Sequence, residues 1–273
     1  MSEKLKILND ATRIKIMAIL NYTNDSFYDG GQYNTPEKFF AKAEQCIHEG
    51  ADILDVGLAS TRPGAPLIQS KQEWETLKPL LTQLRKKYPD ILISVDTYNS
   101  YTAEKSIESG ADIINDISGG QFDDKMFDVV STHKNIFYVL MHTTGTPEQM
   151  QQKTNYSNIV DDIKYYFNQR IQILENKGFS NIIIDPGFGF GKTIEQNYEL
   201  LSQLDRFQEL QKPLLVGISR KSMIYKKLNT TADAYETLIG TITLNTIAVS
   251  KGANILRVHD VKEASLIRNL LPF

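Results

Sequence analysis

The chain has 273 residues, enough for one or two domains of ordinary size or for a single α/β barrel. A composition of 41% hydrophobic and 23% charged residues excludes an intrinsically disordered chain, and a formal net charge of −3 disfavours a nucleic-acid binder. The single cysteine, Cys46, excludes an intrachain disulfide and a metal site built from several cysteines, and no apolar run is long enough to span a membrane. We therefore expect a cytoplasmic enzyme that binds neither nucleic acid nor a membrane.

Eight short apolar runs follow one another along the chain. Continuous runs of this length are typical of parallel strands that are buried on both faces. The predicted strands are Ile14–Leu20, Asp52–Val56, Ile91–Val95, Asp112–Asn115, Ile136–Met141, Asn181–Asp185, Pro213–Gly217 and Asn254–Val258. Helix-like segments lie between them, at Pro36–Glu49, Lys71–Lys87, Ser100–Ser109, Ile159–Asn176, Ala232–Ser250 and Val261–Leu270.

A similar sequence pattern recurs at three of the connections from a predicted helix to the next strand, in Glu49–Asp55, Ser109–Asn115 and Lys251–Arg257. Each copy has a glycine suited to the end of a helix, then an apolar run, then a polar residue. Alternation of strand and helix eight times predicts a (β/α)8 TIM barrel of the α/β class. We expect a single domain over residues 14–273, preceded by an N-terminal extension at 1–13. An open, doubly wound sheet is the alternative.

Polar residues close seven of the eight apolar runs. The closing residues are Asn21, Asp55, Asp96, Asn115, His142, Asp185, Gly217 and Arg257. Any one of them has an ordinary explanation as a helix cap or as part of an ion pair. Because active sites of such barrels lie at the carboxyl ends of the strands, the set together predicts a site at that mouth.

The loops after strands six to eight carry the remaining candidates. The glycine-rich segment Asp185–Thr193 has Pro186 where a phosphate-binding P-loop needs glycine, so nucleotide binding through that motif is disfavoured. Lys221, after strand seven, suits a phosphate, a substrate carbonyl or a Schiff base. Arg257 and His259 are two residues apart, so they share one side of a strand and predict an anion site.

These segments, taken in order, resemble the motifs of the dihydropteroate synthase family. The matching segments are Met17–Phe27 with Asp29–Gly31, Asp55–Gly64, Ile93–Thr97, Ile114–Asp116, Met141–His142, Asp185–Phe190, Ser219–Ser222 and Arg257–His259. The resemblance covers roughly residues 14–271. It implies a (β/α)8 barrel that condenses 6-hydroxymethyl-7,8-dihydropterin diphosphate with 4-aminobenzoate. The products are 7,8-dihydropteroate and diphosphate, in folate biosynthesis.

The resemblance also implies roles for single residues. The pterin-binding residues would be Asp96, Asn115, Met141, Asp185, Phe190, Gly217 and Lys221. The diphosphate would meet Asn21, Thr61, Arg257 and His259, with Asn21 giving an oxygen to Mg²⁺. The residues placed around the second substrate and the catalytic loops would be Phe27, Asp29, Arg62, Pro63, Lys221 and Ser222. The implied mechanism is SN1-like, with diphosphate leaving before the arylamine attacks.

The chain departs from the family pattern in its first two loops. Asn24 stands where proline is usual, and Leu58-Ala59 replaces the usual Gly-Glu. These departures bear on inhibitor sensitivity more than on the reaction. Two alternatives remain: a methyltransferase barrel that uses a folate methyl group, and a pterin-binding paralogue without activity. We also expect a homodimer.

Overall fold

The computed structural model describes residues 5–10, 12–22, 35–58, 69–146 and 154–271. The strands are β1 (Lys15–Asn21), β2 (Ile53–Gly57), β3 (Leu92–Asp96), β4 (Ile113–Asp116), β5 (Phe137–Met141), β6 (Ile182–Asp185), β7 (Leu215–Val216) and β8 (Ile255–Val258). The helices are α1 (Lys6–Asn9), α2 (Pro36–His48), α3 (Ser70–Lys87), α4 (Ser100–Glu108), α5 (Met126–Thr132), α6 (Ile159–Asn176), α7 (Ile194–Ser202), α8 (Ser222–Tyr225), α9 (Tyr235–Ser250) and α10 (Val261–Leu270), with a 3₁₀ segment at Leu204–Leu210.

The eight strands form one parallel barrel. Their order is β6-β5-β4-β3-β2-β1-β8-β7, so each strand pairs with its neighbour in sequence and β1 pairs with β8. A parallel bridge between Ile184 and Leu214 joins the two ends of this sheet, and the Ile184 N–H donates to the Pro213 carbonyl at 2.9 Å. The predicted (β/α)8 barrel is therefore confirmed, and the open doubly wound sheet is wrong.

The helices cover the barrel through one apolar face each, as α6 shows. Asn158 caps its first turn by accepting hydrogen bonds from the N–H groups of Val160 and Asp161, both at 3.1 Å. Its buried residues recur every three or four positions, at Ile159, Val160, Ile163, Phe167, Ile171 and Leu174. Among the described helices, none combines the length and the apolar character needed to cross a membrane.

Alternation along the strands divides their side chains between two cores. One set points outward and packs under the helices, as Ile16, Ala18 and Leu20 of β1 do. The other set fills the barrel floor with an apolar layer. That layer consists of Met17, Ile53, Leu92, Ile113, Phe137, Val139, Ile183, Leu215 and Ile255.

The short helix α1 closes the floor of the barrel. Its flanking and internal leucines, Leu5 and Leu8, are 1% and 3% exposed and belong to the same apolar cluster as the floor layer. Part of the predicted N-terminal extension thus packs with the barrel. The domain boundary at residue 13 stays a prediction.

Candidate active site

Directly above the apolar floor, the barrel interior becomes polar, and Asp55 is the centre of this layer. Its Oδ2 accepts from Arg257 Nε at 2.7 Å and from Asn115 Nδ2 at 3.0 Å, while its Oδ1 accepts from Ser94 Oγ at 2.5 Å. The same guanidinium reaches Asp96, with 2.8 Å between a terminal nitrogen of Arg257 and Asp96 Oδ2. Three residues predicted for the site, Asp96, Asn115 and Arg257, therefore meet in one network. The sequence places Asp55 among the strand-end residues without a specific role, and the structure shows that it joins Arg257 to Asn115.

A second group surrounds Asp185 at the end of β6. Asp185 Oδ1 accepts the Gly187 N–H at 2.8 Å. Lys221 Nζ donates to the Phe188 carbonyl and lies 4.5 Å from the centre of the Phe190 ring. This tight turn requires glycine at 187. Its φ is +70°, and an added Cβ would lie 2.1 Å from the main-chain oxygen of His142, which follows β5.

Burial shifts the acid–base properties of these groups. Burial raises the pKa of Asp96 to about 7 although Arg257 opposes the shift, and burial also raises the pKa of Asp185 against the effect of Lys221. Burial lowers the pKa of Lys221 to about 8. For Arg257, burial acts to lower the pKa, but Asp55 and Asp96 more than offset it and the pKa is raised. The mouth thus holds buried carboxylates and cations that compensate one another, as a site for a polar ligand requires.

An apolar cluster lies beside the polar layer. Tyr98, Ile117 and Met141 are buried together, and Phe122 and Phe190 pack against them. The structure brings together the two predicted ring-contacting residues, Met141 and Phe190. It adds Tyr98 and Ile117, whose positions just after β3 and β4 were the available signal. A flat ring with polar edges would find both apolar faces and hydrogen-bonding groups here.

Asn21 ends β1 at the same mouth. Its Oδ1 is buried and has no hydrogen-bond partner among the residues that the structure describes. A Cβ added at Gly57 would lie 3.2 Å from this oxygen, so the glycine leaves room beside it. A buried oxygen without a partner is costly, and it suits a cation ligand.

The loops after β7 and β8 meet at His259. The strand β8 ends at Val258, so His259 lies just beyond it. Its Nδ1 is 3.0 Å from Ser219 Oγ, which also accepts the His259 N–H at 3.2 Å. Ser219 is a further residue to which the sequence assigned no separate role. That Arg257 and His259 form an anion site stays a prediction.

Two more predicted residues lie in this region, and the other five belong to parts of the chain that the structure does not describe. Gly217 follows β7, where an added Cβ would lie 3.8 Å from the Arg257 Cβ, and Ser222 begins α8. The predicted residues Phe27, Asp29, Thr61, Arg62 and Pro63 lie outside the described residues.

His142 does not join the other strand-end residues. Its ring lies 4.9 Å from the ring of Tyr166, with 87° between the planes, and its Nδ1 is 3.1 Å from Lys192 Nζ. The expectation that it converges on the mouth is wrong, because side chains alternate along a strand and the preceding Met141 already takes the inward direction.

Comparisons with known proteins agree with this geometry. The model of the family described as pterin binding enzyme matches residues 17–259. A dihydropteroate synthase of Synechocystis sp. is 40% identical over 257 residues, covering 93% of this chain and 88% of the relative. The dihydropteroate synthase of Yersinia pestis, solved with a sulfonamide drug complex, superposes with a TM-score of 0.90 at 35% identity, covering 96% of this chain and 94% of that one. The Clostridium difficile enzyme, crystallised in the presence of pteroic acid, gives a TM-score of 0.87 at 36% identity, covering 95% and 96%.

The fold and the mouth of the barrel define a pterin-binding enzyme. More narrowly, the chain belongs to the dihydropteroate synthase family, whose relatives match it over most of their length. Its activity is accordingly that of a transferase of folate biosynthesis, acting on small molecules. The methyltransferase alternative finds no support among these relatives.

Proposed function

We propose that the polar layer binds the ring of 6-hydroxymethyl-7,8-dihydropterin diphosphate and that the strand ends above it hold the diphosphate for displacement by 4-aminobenzoate. The observation that carries this proposal is the convergence of Asp96, Asn115, Asp185 and Lys221 on one buried mouth beside an apolar cluster. The names of the relatives, which include structures with a sulfonamide and with pteroic acid, support the same substrates.

The pterin edge carries adjacent N–H donors, which require acceptors. Asp185 accepts from the 2-amino pyrimidine edge, and a carboxylate does so at two oxygens. Asn115 both donates and accepts, and Asp96 takes a further ring N–H. Lys221 donates to the carbonyl side of the ring. Its ammonium already lies among a main-chain oxygen, the Phe190 ring and the field of Asp185, so it needs little reorganisation.

The two ring faces contact apolar side chains. Met141 and Phe190 belong to one cluster at the mouth, and Tyr98 and Ile117 extend it. Thioether and aromatic groups favour a flat heterocycle, and they exclude water from the reacting carbon. Gly217 lies beside the Arg257 side chain, where an added Cβ would come within 3.8 Å of the Arg257 Cβ, so a larger residue here would narrow the mouth.

For the diphosphate end we propose Arg257, His259 and Asn21, and the family resemblance adds Thr61, which lies outside the described residues. Arg257 keeps its charge because Asp55 and Asp96 hold it, so it stabilises the negative charge that grows on the leaving group. His259 is oriented by Ser219. The buried oxygen of Asn21, which has no partner within the described part of the chain, fits Mg²⁺, which prefers oxygen ligands and usually shares substrate phosphates. When bound, Mg²⁺ supplies charge neutralisation for the diphosphate.

The reaction on this account is SN1-like. The bond between the pterin methylene carbon and the diphosphate oxygen breaks, and its electron pair leaves with the oxygen. The nitrogen lone pair of 4-aminobenzoate then forms the C–N bond, and the nitrogen loses a proton to water. No general base is needed before attack, because an arylamine is neutral at pH 7. The residues contribute position and electrostatics, with Lys221, Ser222, Phe27, Asp29, Arg62 and Pro63 serving the second substrate.

We also propose a homodimer that works in the cytoplasm. Two neighbouring helices, α9 and α10, expose large apolar side chains, which are Tyr235, Ile239, Ile247, Leu266 and Leu270. Several large exposed apolar side chains on two helices that contact each other favour a protein partner. A buried free thiol at Cys46 suits a reducing compartment. Light scattering on the purified chain tests the dimer, and Leu270→Glu with Ile239→Glu should convert it to a monomer.

Product analysis tests the proposed reaction. The purified chain is incubated with the pterin diphosphate, 4-aminobenzoate and Mg²⁺, and the product is identified by mass. We expect 7,8-dihydropteroate, none of which forms when either substrate is omitted. Asn115→Leu, which removes the amide but keeps the volume, should abolish product formation while the protein stays folded. Unchanged product formation by this variant would contradict the proposed location of the ring.

A further inference from the structure

Lys192 is a buried ammonium that the proposed chemistry does not use. It follows the glycine-rich turn after β6, and its side chain is 4% exposed. Its Nζ lies 2.8 Å from the Gly187 carbonyl oxygen, 3.0 Å from the Phe190 carbonyl oxygen and 3.1 Å from His142 Nδ1. An ammonium has three N–H donors, so these three acceptors use all of them. None of the three is a carboxylate.

A buried cation held by neutral acceptors is costly for a fold. Burial lowers the pKa of Lys192 to about 7, although Asp185 opposes the shift. Burial, followed by the charge of Lys192, holds the pKa of His142 well below its usual value, so the neutral ring offers Nδ1 as an acceptor. A methionine or leucine would fill the same space without a buried charge, but it would leave the two carbonyl oxygens and the ring nitrogen without donors. The ammonium therefore holds three groups together that an apolar side chain would leave unconnected.

The turn held by Lys192 also forms one wall of the pterin subsite. Lys192 contacts the carbonyl oxygens of the first and last residues of the turn 187–190. Lys221 contacts the same turn at the Phe188 carbonyl and the Phe190 ring. The Gly187 N–H meets Asp185. A rotation of the turn would move Phe190, Lys221 and Asp185 together.

We propose that Lys192 is a positioning residue for the pterin subsite: it fixes the turn 187–190 so that the Phe190 ring, the Lys221 ammonium and the Asp185 carboxylate are in place before the pterin binds. Lys192 does not touch the substrate. It acts through two carbonyl oxygens and through His142, which ties the turn to the end of β5. The role rests on the pterin subsite proposed above.

The test separates positioning from simple stability. Lys192→Met removes the charge and keeps the length of the side chain. The matched control is Lys212→Met, which removes a lysine with 15% side-chain exposure that pairs with Glu175 at 2.7 Å, just before β7 at the other end of the barrel. For each protein, calorimetry with 6-hydroxymethyl-7,8-dihydropterin gives the Kd and the number of sites. Thermal unfolding gives the Tm.

We expect Lys192→Met to raise the pterin Kd about tenfold, because a displaced turn would cost the pterin about one hydrogen bond to the charged Asp185 or Lys221. The KM for 4-aminobenzoate at saturating pterin diphosphate should stay within about twofold, and Lys212→Met should leave both constants within about twofold. A merely structural lysine would instead lower the Tm and the number of sites and leave the Kd unchanged. That result overturns the proposal.

Three further outcomes separate the role of Lys192 from folding and from the proposed function. If Lys192→Met does not fold, Lys192→Gln takes its place, because the amide still donates to one carbonyl. It should raise the Kd by about fivefold, and an unchanged Kd overturns the proposal. If the wild-type protein itself does not bind the pterin, the proposed function fails. If wild type and variant bind equally well, only the role of Lys192 fails.

Discussion

The substitution Asp185→Asn tests how the pterin ring is held. Asp185 is 6% exposed, and its Oδ1 already accepts the Gly187 N–H at 2.8 Å. An amide keeps an oxygen for Gly187, so the turn should stay in place. It loses the charge, however, and directs an N–H₂ group toward the donor edge of the ring. A charge-assisted hydrogen bond is worth about 1.5–3 kcal/mol, and an unsatisfied buried donor adds to the loss, so we expect about 2–4 kcal/mol, or about 30-fold to about 1000-fold in Kd.

The matched control is Asp116→Asn, at the end of β4. Asp116 is also fully buried, but it accepts from the Ser118 N–H at 2.7 Å, the Gly120 N–H at 2.8 Å and the Tyr138 hydroxyl at 2.7 Å, on the helix-facing side of the barrel. Calorimetry with the pterin should show its Kd within about threefold of wild type, with a lower Tm. A loss below tenfold for Asp185→Asn, or an equal loss for both variants, would refute the proposed orientation of the ring.

Four further results are expected. Asn21→Ala should raise the Mg²⁺ concentration for half-maximal turnover about tenfold and should leave metal-free pterin binding, measured by calorimetry, unchanged. If the variant keeps the turnover of the wild type at limiting Mg²⁺, Asn21 is not the ligand. Pterin affinity should rise with pH as Asp96 ionises near its raised pKa of about 7, and it should fall as Lys221 loses its proton near its lowered pKa of about 8. In binding titrations from about pH 6 to about pH 9, Asp96→Asn should remove the rise in affinity. A rise that persists in this variant would assign it to another group. A sulfonamide should bind about tenfold more tightly once Mg²⁺, diphosphate and the pterin are present, whereas equal affinities would show a preformed pocket. Leu8→Ala should lower the free energy of unfolding by about 2–4 kcal/mol in urea titrations, and a loss below about 0.5 kcal/mol would mean that α1 does not hold the barrel floor.

The fold was predictable because its strands are buried on both faces. Continuous apolar runs gave all eight strands, and glycine at the ends of helices gave their junctions. The short helices α1, α5, α7 and α8 could not be predicted from the sequence, because a helix of few turns has only a weak periodic pattern of apolar residues. The start of α7 was readable, because Thr193 accepts the Gln196 N–H and Gln196 accepts the Thr193 N–H, the reciprocal cap that Thr-x-x-Gln predicts.

The site was predictable to the extent that strand alternation determines it. Asp96, Asn115, Asp185 and Arg257 all close predicted strands, and the structure places them at the mouth. The role of Asp55 could not be predicted, because its partner Arg257 is 202 positions away in the chain and only barrel closure brings them together.

Lys192 was missed for a similar reason. In the sequence it is one residue of the glycine-rich segment Asp185–Thr193, and nothing there shows that the Gly187 carbonyl turns back toward it. For His142 the expectation was wrong by one position, because the inward-facing residue at the end of β5 is the preceding Met141. Alternation from the inward-facing Met141 would have corrected that expectation.

The central claim is that this barrel joins a pterin diphosphate to an arylamine, and diphosphate release measures it directly. A coupled assay follows diphosphate in the presence of both substrates and Mg²⁺, while chromatography measures 7,8-dihydropteroate in the same samples. The account predicts one diphosphate for each dihydropteroate formed, and a rate that collapses in Lys221→Met. No diphosphate release with both substrates present, or release without formation of dihydropteroate, would contradict it.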